Sequence, residues 1–283
     1  MQCTNPVDIA GFKLACGKCR GCRIARSRDW TARIIHEMVY IKEASFVTFT
    51  YDEDHLPSDG GLHKSEIQNC FKRLRKNYEG LHFKYYAAGE YGGVNGRPHY
   101  HVIFLGIGQN WEGFKWISKV GKKPGRWARV AEWKNGFVHV GTVTRDSVLY
   151  VTDYIQNKLN GELAVQTYGS KESPFQIVSQ GFGKKYCLEN QAQLKQTLSM
   201  TLGSVRLGLP RYYKEKLEIK KNVNLSRALE ERAIIRDLER SLKIQERLGR
   251  KLTREEWKIF EEQNRSTIAE NLKAKAETRR KRN

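Results

Sequence analysis

The chain has 283 residues and a formal net charge of +20, with 51 lysines and arginines against 31 aspartates and glutamates. Its 39% hydrophobic and 11% aromatic residues can fill a sizeable core, which excludes wholesale disorder. No run of about eighteen apolar residues occurs and the N-terminus lacks an apolar signal segment, so we expect no membrane partner and a protein that works in the cytosol. The positive charge then favours nucleic acid as the partner.

The stretch CGKCRGC places Cys16, Cys19 and Cys22 in two overlapping CxxC spacings. A disulfide framework is not expected in a cytosolic chain. Short CxxC loops let several thiolates converge on one metal ion, and Cys3 is the nearby fourth thiolate. The second, separate CxxC pair that is usual in zinc sites is missing. The pattern therefore fits either a zinc site at these four residues or a simple cluster of reduced thiols.

Hydrophobic periodicity predicts the first helices and strand. Residues 23–42 carry apolar side chains at helical spacing among arginines, which indicates a basic amphipathic helix, and SFVTFTYD at 45–52 is typical of a strand. A second helix is predicted over 64–79, with Gly80 at its C-terminal end. The polar side of this helix includes Arg73 and Arg75, for which both a solvated surface and contact with DNA fit the pattern.

Two histidines stand one residue apart in the next predicted hairpin. Strands over 82–89 and 99–105 are joined by the turn-rich YGGVNGRP. Residues i and i+2 of a strand share a face, so His99 and His101 should point the same way. Glu90 closes the first strand at the same end of the hairpin. Two imidazoles and a carboxylate suit a divalent ion that also holds a phosphate oxygen, whereas a lone HxH also fits ordinary strand histidines.

Residues 107–135 interrupt the strand pattern and hold four of the six tryptophans among lysines and arginines. They fit either a stacking platform for single-stranded bases or an insertion that packs its tryptophans onto the main domain. A strand with a structural His139 is predicted over 136–144. A helix over 147–159, starting at Ser or Asp, follows.

Two tyrosines in the predicted helix 147–159 are separated by one helical turn. Tyr150 and Tyr154 are four residues apart, so they should share one face, and Lys158 extends this stripe by another turn. Stacked helix tyrosines also fit core or interface packing. From about residue 212 the chain becomes rich in Lys, Arg, Glu and Leu, which predicts charged helices, a break near Gly249, a capping box that starts at Thr253, and a basic tail.

Three of these stretches, in this order, resemble the motifs of the HUH endonucleases that initiate rolling-circle replication. They are FVTFTYD at 46–52, RPHYH at 97–101 and YVTDYIQNK at 150–158. CGKCRGCR, CFKRLRK, GEYG, GFVHVGTVT and LPRYYKEK are similar to segments of the replication initiators of microviruses, small icosahedral single-stranded DNA phages, especially the gokushovirus-like branch. The sequence departs from close relatives at Asp153, where a basic residue is frequent, and it has one lysine, Lys158, where they have two. VSQGFGKKY is a loose version of their Pro-Gly-Ile-Gly-type stretch.

The resemblance implies an α+β fold: an HUH endonuclease domain with a central antiparallel, RRM-like sheet flanked by helices, plus a C-terminal charged helical region. We expect the Cys cluster and basic helix in residues 1–44, the nuclease core with its insertion in 45–211, and a charged arm and tail in 212–283. The histidine pair should lie on a central strand and the tyrosines on a helix packed beside it.

The resemblance also implies an activity. A tyrosine, Tyr150 or Tyr154, would nick single-stranded DNA at a replication origin and form a 5′-phosphotyrosine link, with Lys158 near the phosphate. Mg²⁺ or Mn²⁺ would be held by His99, His101 and Glu90. Host DNA polymerase and helicase would act as partners in the bacterial cytoplasm. Thr48 is expected to brace the sheet or touch DNA. The predicted DNA-binding residues are Thr50, Asp52, Arg73, Arg75 and Arg97.

Two other functions fit parts of the sequence. A non-enzymatic nucleic-acid-binding protein with zinc at the cysteines accounts for the charge but leaves the ordered HxH and tyrosine pair unexplained. A plasmid or transposon HUH nuclease would share the chemistry and differ in its biology.

Overall fold

The computed structural model describes residues 3–9, 12–93, 95–120, 123–154, 162–203, 205–219, 239, 242–250, 252–253, 255–257, 259–260, 262–263, 266–267, 270–271 and 274. It groups the chain into two compact units, one within residues 26–190 and one formed by residues 1–25 with 191–283. Among the described residues, none of the helices combines the length and apolar character that crossing a membrane needs. The predicted division into residues 1–44, 45–211 and 212–283 stays a prediction.

Strands and helices are interspersed along the described chain. The strands are β1 (Val7–Ile9), β2 (Phe12–Leu14), β3 (Ala44–Tyr51), β4 (Lys84–Tyr91), β5 (Pro98–Leu105), β6 (Lys115–Val120), β7 (Lys123–Val130), β8 (Trp133–Gly141), β9 (Phe175–Val178), β10 (Ser199–Leu202) and β11 (Val205–Gly208). The helices are α1 (Arg20–Met38), α2 (Lys64–Asn77), α3 (Arg145–Tyr154), α4 (Glu162–Tyr168), α5 (Lys184–Glu189), α6 (Gln191–Thr197) and α7 (Arg211–Lys216).

A seven-stranded sheet forms the centre of the unit within residues 26–190, in the spatial order β6-β7-β8-β3-β5-β4-β9. Every neighbouring pair of strands in it is antiparallel. β3 and β5, which carry two of the three motifs of the resemblance, lie next to each other near the middle. The α+β class with a central antiparallel sheet flanked by helices is therefore confirmed.

The two faces of this sheet carry different helices. Because strand side chains alternate between faces, Phe49 of β3 and Tyr100 of β5 lie on one side, where they join a core with Phe71 of α2. On the opposite side, a second core joins Ile103 and Leu105 of β5 to Ile34 of α1 and to Val148 and Val151 of α3. The odd-numbered residues at the start of β5, including both histidines, therefore face α1 and α3.

The interpretation of residues 107–135 as an interruption of the strand pattern is wrong, because 115–120 and 123–130 form β6 and β7 at the edge of the sheet. An edge strand exposes much of its surface, so it tolerates lysines and arginines that obscure the period of two. Trp133, at the start of β8, is buried and its Nε1 donates a 3.0 Å hydrogen bond to the carbonyl of Thr50.

The predicted ends of the helices differ from the observed ones by a few residues. α3 begins at Arg145 rather than at Ser147, because Thr144 caps it: Ser147 N donates to Thr144 Oγ1 at 3.1 Å, and Thr144 N donates to Ser147 Oγ at 2.7 Å. α2 ends at Asn77, and α1 covers residues 20–38 rather than 23–42. The last five positions of the predicted helix 147–159 lie outside the described residues.

The other unit contains two hairpins, β1–β2 and β10–β11, together with the short helices α6 and α7. The predicted capping box is confirmed: Glu256 N donates to Thr253 Oγ1 at 3.2 Å, and Thr253 N donates to Glu256 Oε2 at 2.8 Å. Arg250 reaches the same carboxylate at 2.6 Å. Of the predicted basic tail, only Ala274 lies within the described residues.

Candidate active site

Three side chains converge where β4 and β5 meet. The strand register pairs Glu90 directly with His99 and Ala88 with His101. Glu90, His99 and His101 therefore lie on one face, the face that carries α1 and α3, as the period of two predicts. We call these three residues the triad. They form a group whose oxygen and nitrogen atoms lie close enough together to hold a metal ion.

The spacing of the triad atoms indicates a coordination geometry. Glu90 Oε1 lies 2.7 Å from His99 Nε2 and 3.1 Å from His101 Nε2, and the two Nε2 atoms are 3.1 Å apart. Two atoms that bind one ion at about 2.1 Å are about 3.0 Å apart at a right angle and about 3.4 Å apart in a tetrahedron. The observed distances fit one face of an octahedron, which leaves the opposite face for water or a phosphate oxygen.

The other ring nitrogen of each histidine has a partner that favours the metal-binding tautomer. His99 Nδ1 lies 3.1 Å from the carbonyl oxygen of Arg97, which can only accept, so Nδ1 carries the proton. His101 Nδ1 lies 2.9 Å from Thr48 Oγ1, the residue opposite it on β3. With both Nδ1 atoms donating, both Nε2 lone pairs face Glu90. Sequence reasoning missed this role of Thr48, because the register between β3 and β5 is needed to see it.

Burial and mutual contact set the charges of the triad. Burial alone would raise the pKa of Glu90, but hydrogen bonds from the two histidines outweigh it and lower the pKa. Burial lowers the pKa of His101 and keeps its ring neutral. Burial would also lower the pKa of His99, yet its hydrogen bond to Glu90 and the charge of that carboxylate outweigh burial and raise it. A carboxylate and a neutral imidazole are the ligand forms that a metal ion requires.

Helix α3 brings a tyrosine against the triad. The ring centroid of Tyr150 lies 5.4 Å from that of His101 in an edge-to-face arrangement, and Phe46 lies beside both rings. Burial, followed by the negative charge of Glu90, raises the pKa of Tyr150 to about 12. Tyr154 is the last residue of α3, its side chain lies outside the described part of the structure, and Lys158 lies outside the described residues. The common face of the two tyrosines stays a prediction.

A cluster of hydroxyl groups joins α3 to α1. Thr152 Oγ1 lies 2.9 Å from Ser27 Oγ and 2.9 Å from Thr31 Oγ1, and all three residues are buried. Ser27 Oγ also donates to Asp153 Oδ1 at 2.6 Å. Asp153, which departs from the basic residue of close relatives, thus has a structural partner on α1. These contacts fix the position of α3 beside the triad.

The elements from β3 to α3 coincide with a known protein family. The family model for replication-associated proteins of the ORF2 type matches residues 44–159. The chain is 31% identical over 224 residues to "Replication-associated protein ORF4" of Chlamydia phage 1, covering 75% of this chain and 55% of that protein. It is 29% identical over 237 residues to "Replication-associated protein ORF2" of Spiroplasma virus 4, covering 76% of this chain and 70% of that protein. The chain belongs to the phage replication-associated protein family.

A third relative from this family is similar over a shorter stretch. The chain is 31% identical over 160 residues to "Replication-associated protein VP4" of Bdellovibrio phage phiMH2K, covering 54% of this chain and 50% of that protein. The chain thus spans about half the length of the Chlamydia and Bdellovibrio relatives. No solved structure matches it.

Three of the residues predicted to bind DNA lie near the triad end of the central strands of this replication-associated protein. Arg97 donates to Glu53 at 2.7 Å and to the carbonyl of Tyr51 at 3.0 Å, which ties the end of β3 to the start of β5. Thr50 Oγ1 donates to the carbonyl of Phe137 at 3.1 Å and braces β3 against β8. Asp52 lies 2.6 Å from the ring of His55. Their contact with DNA stays a prediction.

Arg73 and Arg75 belong to α2, which packs on the sheet face opposite the triad. The guanidinium of Arg73 donates two hydrogen bonds to the carbonyl of Glu132, at 2.7 and 3.0 Å. Arg75 lies over the ring of Phe83, 4.6 Å from its centroid. These contacts give both arginines a structural role, and their part in DNA binding stays a prediction.

The four tryptophans of residues 107–135 divide into packed and exposed ones. Trp133 is buried, and Trp111 packs on the core of the α2 face. Trp116 is 46% exposed, with the guanidinium of Arg126 at 4.8 Å from its ring centroid. Trp127 packs edge-to-face on His139 at 5.0 Å. Packing onto the domain thus accounts for Trp111 and Trp133, while Trp116 keeps a surface on which a base could stack.

Proposed function

We propose that this chain is an HUH-type replication initiator that nicks single-stranded DNA at an origin through a tyrosine nucleophile. The observation that carries the proposal is the position of the Tyr150 ring against His101, within a triad whose atoms have the spacing of a metal-binding face. Membership in the phage replication-associated family supports the initiator role.

In the proposed reaction, the phenolic oxygen of Tyr150 or Tyr154 attacks a backbone phosphorus. The bond between phosphorus and the 3′ oxygen breaks, the phenol loses its proton, and the leaving 3′ oxygen gains one. The products are a 5′-phosphotyrosine link and a free 3′-hydroxyl. Because the link replaces one phosphodiester by another, the strand can be rejoined without ATP, and the 3′-hydroxyl can prime a host polymerase.

The residues around Tyr150 define what the reaction needs. With a pKa of about 12, only roughly one Tyr150 side chain in 10⁵ is ionised at pH 7, so the nucleophile requires nearby positive charge. A divalent cation, Mg²⁺ or Mn²⁺, on the triad would offset the charge of Glu90 and draw electron density from a phosphate oxygen. Arg97 and Thr48 hold the two histidines in the orientation that this binding requires.

The i, i+4 spacing of the tyrosines supports two strand transfers in one round of replication. If one tyrosine holds the displaced 5′ end, the other, one helical turn away, can cut the regenerated origin. We assign this exchange to Tyr150 and Tyr154 and place Lys158 next to the phosphate. A single catalytic tyrosine is the alternative that the test below separates.

The proposed substrate and partners follow from charge and from family. Single-stranded DNA at an origin would contact Thr50, Asp52 and Arg97 near the triad, and bases could stack on Trp116. The net charge of +20 favours such a polyanion. Host polymerase and helicase are the partners we propose, in the cytoplasm of a bacterial host. Similarity to phage proteins favours this biology over a plasmid or transposon nuclease.

A covalent-adduct assay tests the proposal. Purified full chain is incubated with a random single-stranded DNA library and Mn²⁺, separated on a denaturing gel, and the bound DNA is sequenced. We expect an adduct that disappears with EDTA and in His101→Ala. It should survive in either Tyr150→Phe or Tyr154→Phe and vanish in the double variant if both tyrosines act.

The matched control is Tyr85→Phe, because Tyr85 belongs to β4 but packs on the opposite face of the sheet. Loss of the adduct in only one of the two α3 variants would reduce the mechanism to a single nucleophile. Salt-dependent DNA binding with no adduct from the library would reject the nuclease and favour the non-enzymatic binding protein.

A further inference from the structure

Four cysteines outside the triad converge on one point. Cys3 precedes β1, Cys16 and Cys19 follow β2, and Cys22 lies in the first turn of α1. Their four Sγ atoms all lie within 4.8 Å of one another. Cys16 Sγ is 3.9 Å from Cys22 Sγ, and Cys19 Sγ is 3.8 Å from Cys3 Sγ. Residues that are up to nineteen positions apart in the sequence thus present four sulfurs to a common centre.

The sulfur distances match one tetrahedral ion. A Zn–S bond is about 2.3 Å long, so two thiolates of a tetrahedral site are about 3.8 Å apart. A disulfide needs about 2.05 Å between its sulfurs, and all four cysteines are free. A cluster of several irons would hold its thiolates farther apart, because each thiolate binds a different metal atom. The geometry therefore favours a single ion.

The backbone of the loop supports the sulfurs. Cys19 N donates to Cys16 Sγ at 3.2 Å, and Cys16 N donates to Cys3 Sγ at 3.4 Å. Gly17 adopts a φ of +70°, a left-handed conformation that a glycine reaches without strain, and this turn directs the amide of Cys19 back towards Cys16. Amide donors of this kind stabilise the thiolate form, which is the form that binds metal.

The segment around the cysteines has little else to hold it. β1 and β2 have three residues each, and a two-stranded hairpin of that length is marginal in water. Its cross-strand pair Val7 and Leu14 contributes little burial, since these residues are 46% and 41% exposed. A metal cross-link would supply the stability that this hairpin lacks.

We propose that Cys3, Cys16, Cys19 and Cys22 bind one Zn²⁺ in a structural site that fixes the β1–β2 hairpin to the start of α1. Four protein ligands close a tetrahedral site, so no position is left for substrate and the ion takes no part in strand transfer. Soft thiolates select Zn²⁺, whereas the carboxylate and imidazoles of the triad suit Mg²⁺ or Mn²⁺. The two sites therefore differ in metal preference and can be tested separately.

Metal content of the full chain is the first test. Protein purified without added zinc and dialysed against metal-free buffer is analysed by inductively coupled plasma mass spectrometry, and we expect about one zinc per chain. Cys16→Ser/Cys19→Ser should lose it. Cys187→Ala, which removes a buried thiol far from the cluster in sequence, and His101→Ala, which removes a triad ligand, should both retain it. Equal zinc in wild type and the double-cysteine variant would overturn the proposal.

Cobalt substitution tests the site without any variant, in case the double-cysteine protein does not fold. Wild-type protein stripped of zinc and loaded with Co²⁺ should show sulfur-to-cobalt charge-transfer absorption and the intense visible bands of a tetrahedral ion, and one equivalent of Zn²⁺ should remove them. Weak octahedral bands without sulfur charge transfer would overturn the proposal. Because neither readout uses DNA or adduct formation, its failure is distinguishable from failure of the nuclease proposal.

Discussion

The hydrogen bond between Thr48 and His101 provides a sharp test of the triad. Thr48→Val keeps the shape of the side chain and removes the hydroxyl that lies 2.9 Å from His101 Nδ1. His101 is only 6% exposed, so this contact is made inside the protein. Without it, the ring loses the acceptor that holds the Nδ1 proton and directs the Nε2 lone pair towards Glu90.

The expected size of the effect follows from the burial of this bond. Loss of one buried hydrogen bond costs about 1–3 kcal/mol, and each 1.4 kcal/mol corresponds to about a tenfold change in an equilibrium constant. Removing a partner of a metal-binding histidine typically weakens metal binding by about 10- to 100-fold. We therefore expect the Mn²⁺ concentration for half-maximal adduct formation to rise about tenfold or more in Thr48→Val.

The assay is a Mn²⁺ titration of adduct formation, with direct Mn²⁺ binding followed by electron paramagnetic resonance. Thr50→Val is the matched control, because Thr50 lies two residues further along β3 on the same face and its hydroxyl donates to a backbone carbonyl of β8. The control should leave the titration unchanged. An unchanged Mn²⁺ titration in Thr48→Val, or an equal shift in both variants, would refute the role of Thr48.

Three further predictions concern the helix contact, the surface and pH. Ser27→Ala removes two hydrogen bonds to α3 and should lower the free energy of unfolding by about 1–2 kcal/mol in a denaturant titration, with slower adduct formation; unchanged stability would contradict this contact. Trp116→Ala, which also frees Arg126, should weaken single-stranded DNA binding about 5- to 100-fold by fluorescence anisotropy without changing the midpoint of unfolding. An unchanged affinity would remove Trp116 from the DNA surface. The raised pKa of His99, caused by Glu90 against the opposing effect of burial, means that protons compete with metal already above the usual histidine value of about 6.5. Mn²⁺ affinity should therefore fall as pH is lowered from 8 to 6, and a flat profile in calorimetric titrations would contradict this.

The triad could be predicted from the sequence because it depends on local geometry. The period of two puts His99 and His101 on one face, and the hairpin turn brings Glu90 to the same end. No long-range information is needed. The position of α3 beside this face came only from the resemblance, because the helix is more than forty residues further along the chain.

Other parts of the site depend on contacts between distant segments. Thr48 supports His101 only because β3 pairs with β5 in one particular register, and Ser27 meets Asp153 only because α1 and α3 pack on the same face. Neither pairing follows from the period of two or of 3.6 residues. The edge strands β6 and β7 were missed for a different reason, since their exposed positions carry charged residues that obscure the alternation. Helix periodicity likewise predicts α2 but not which face of the sheet it covers.

The measurement that tests the central claim most directly is the location of the covalent bond. Wild-type protein is treated with single-stranded DNA and Mn²⁺, digested with nuclease and trypsin, and analysed by tandem mass spectrometry for a nucleotide on a peptide. The account predicts a 5′-phosphotyrosine at Tyr150 or Tyr154 that is absent after EDTA treatment and in His101→Ala. Metal-dependent cleavage that leaves a free 5′-phosphate, or a nucleotide on a residue outside α3, would contradict it.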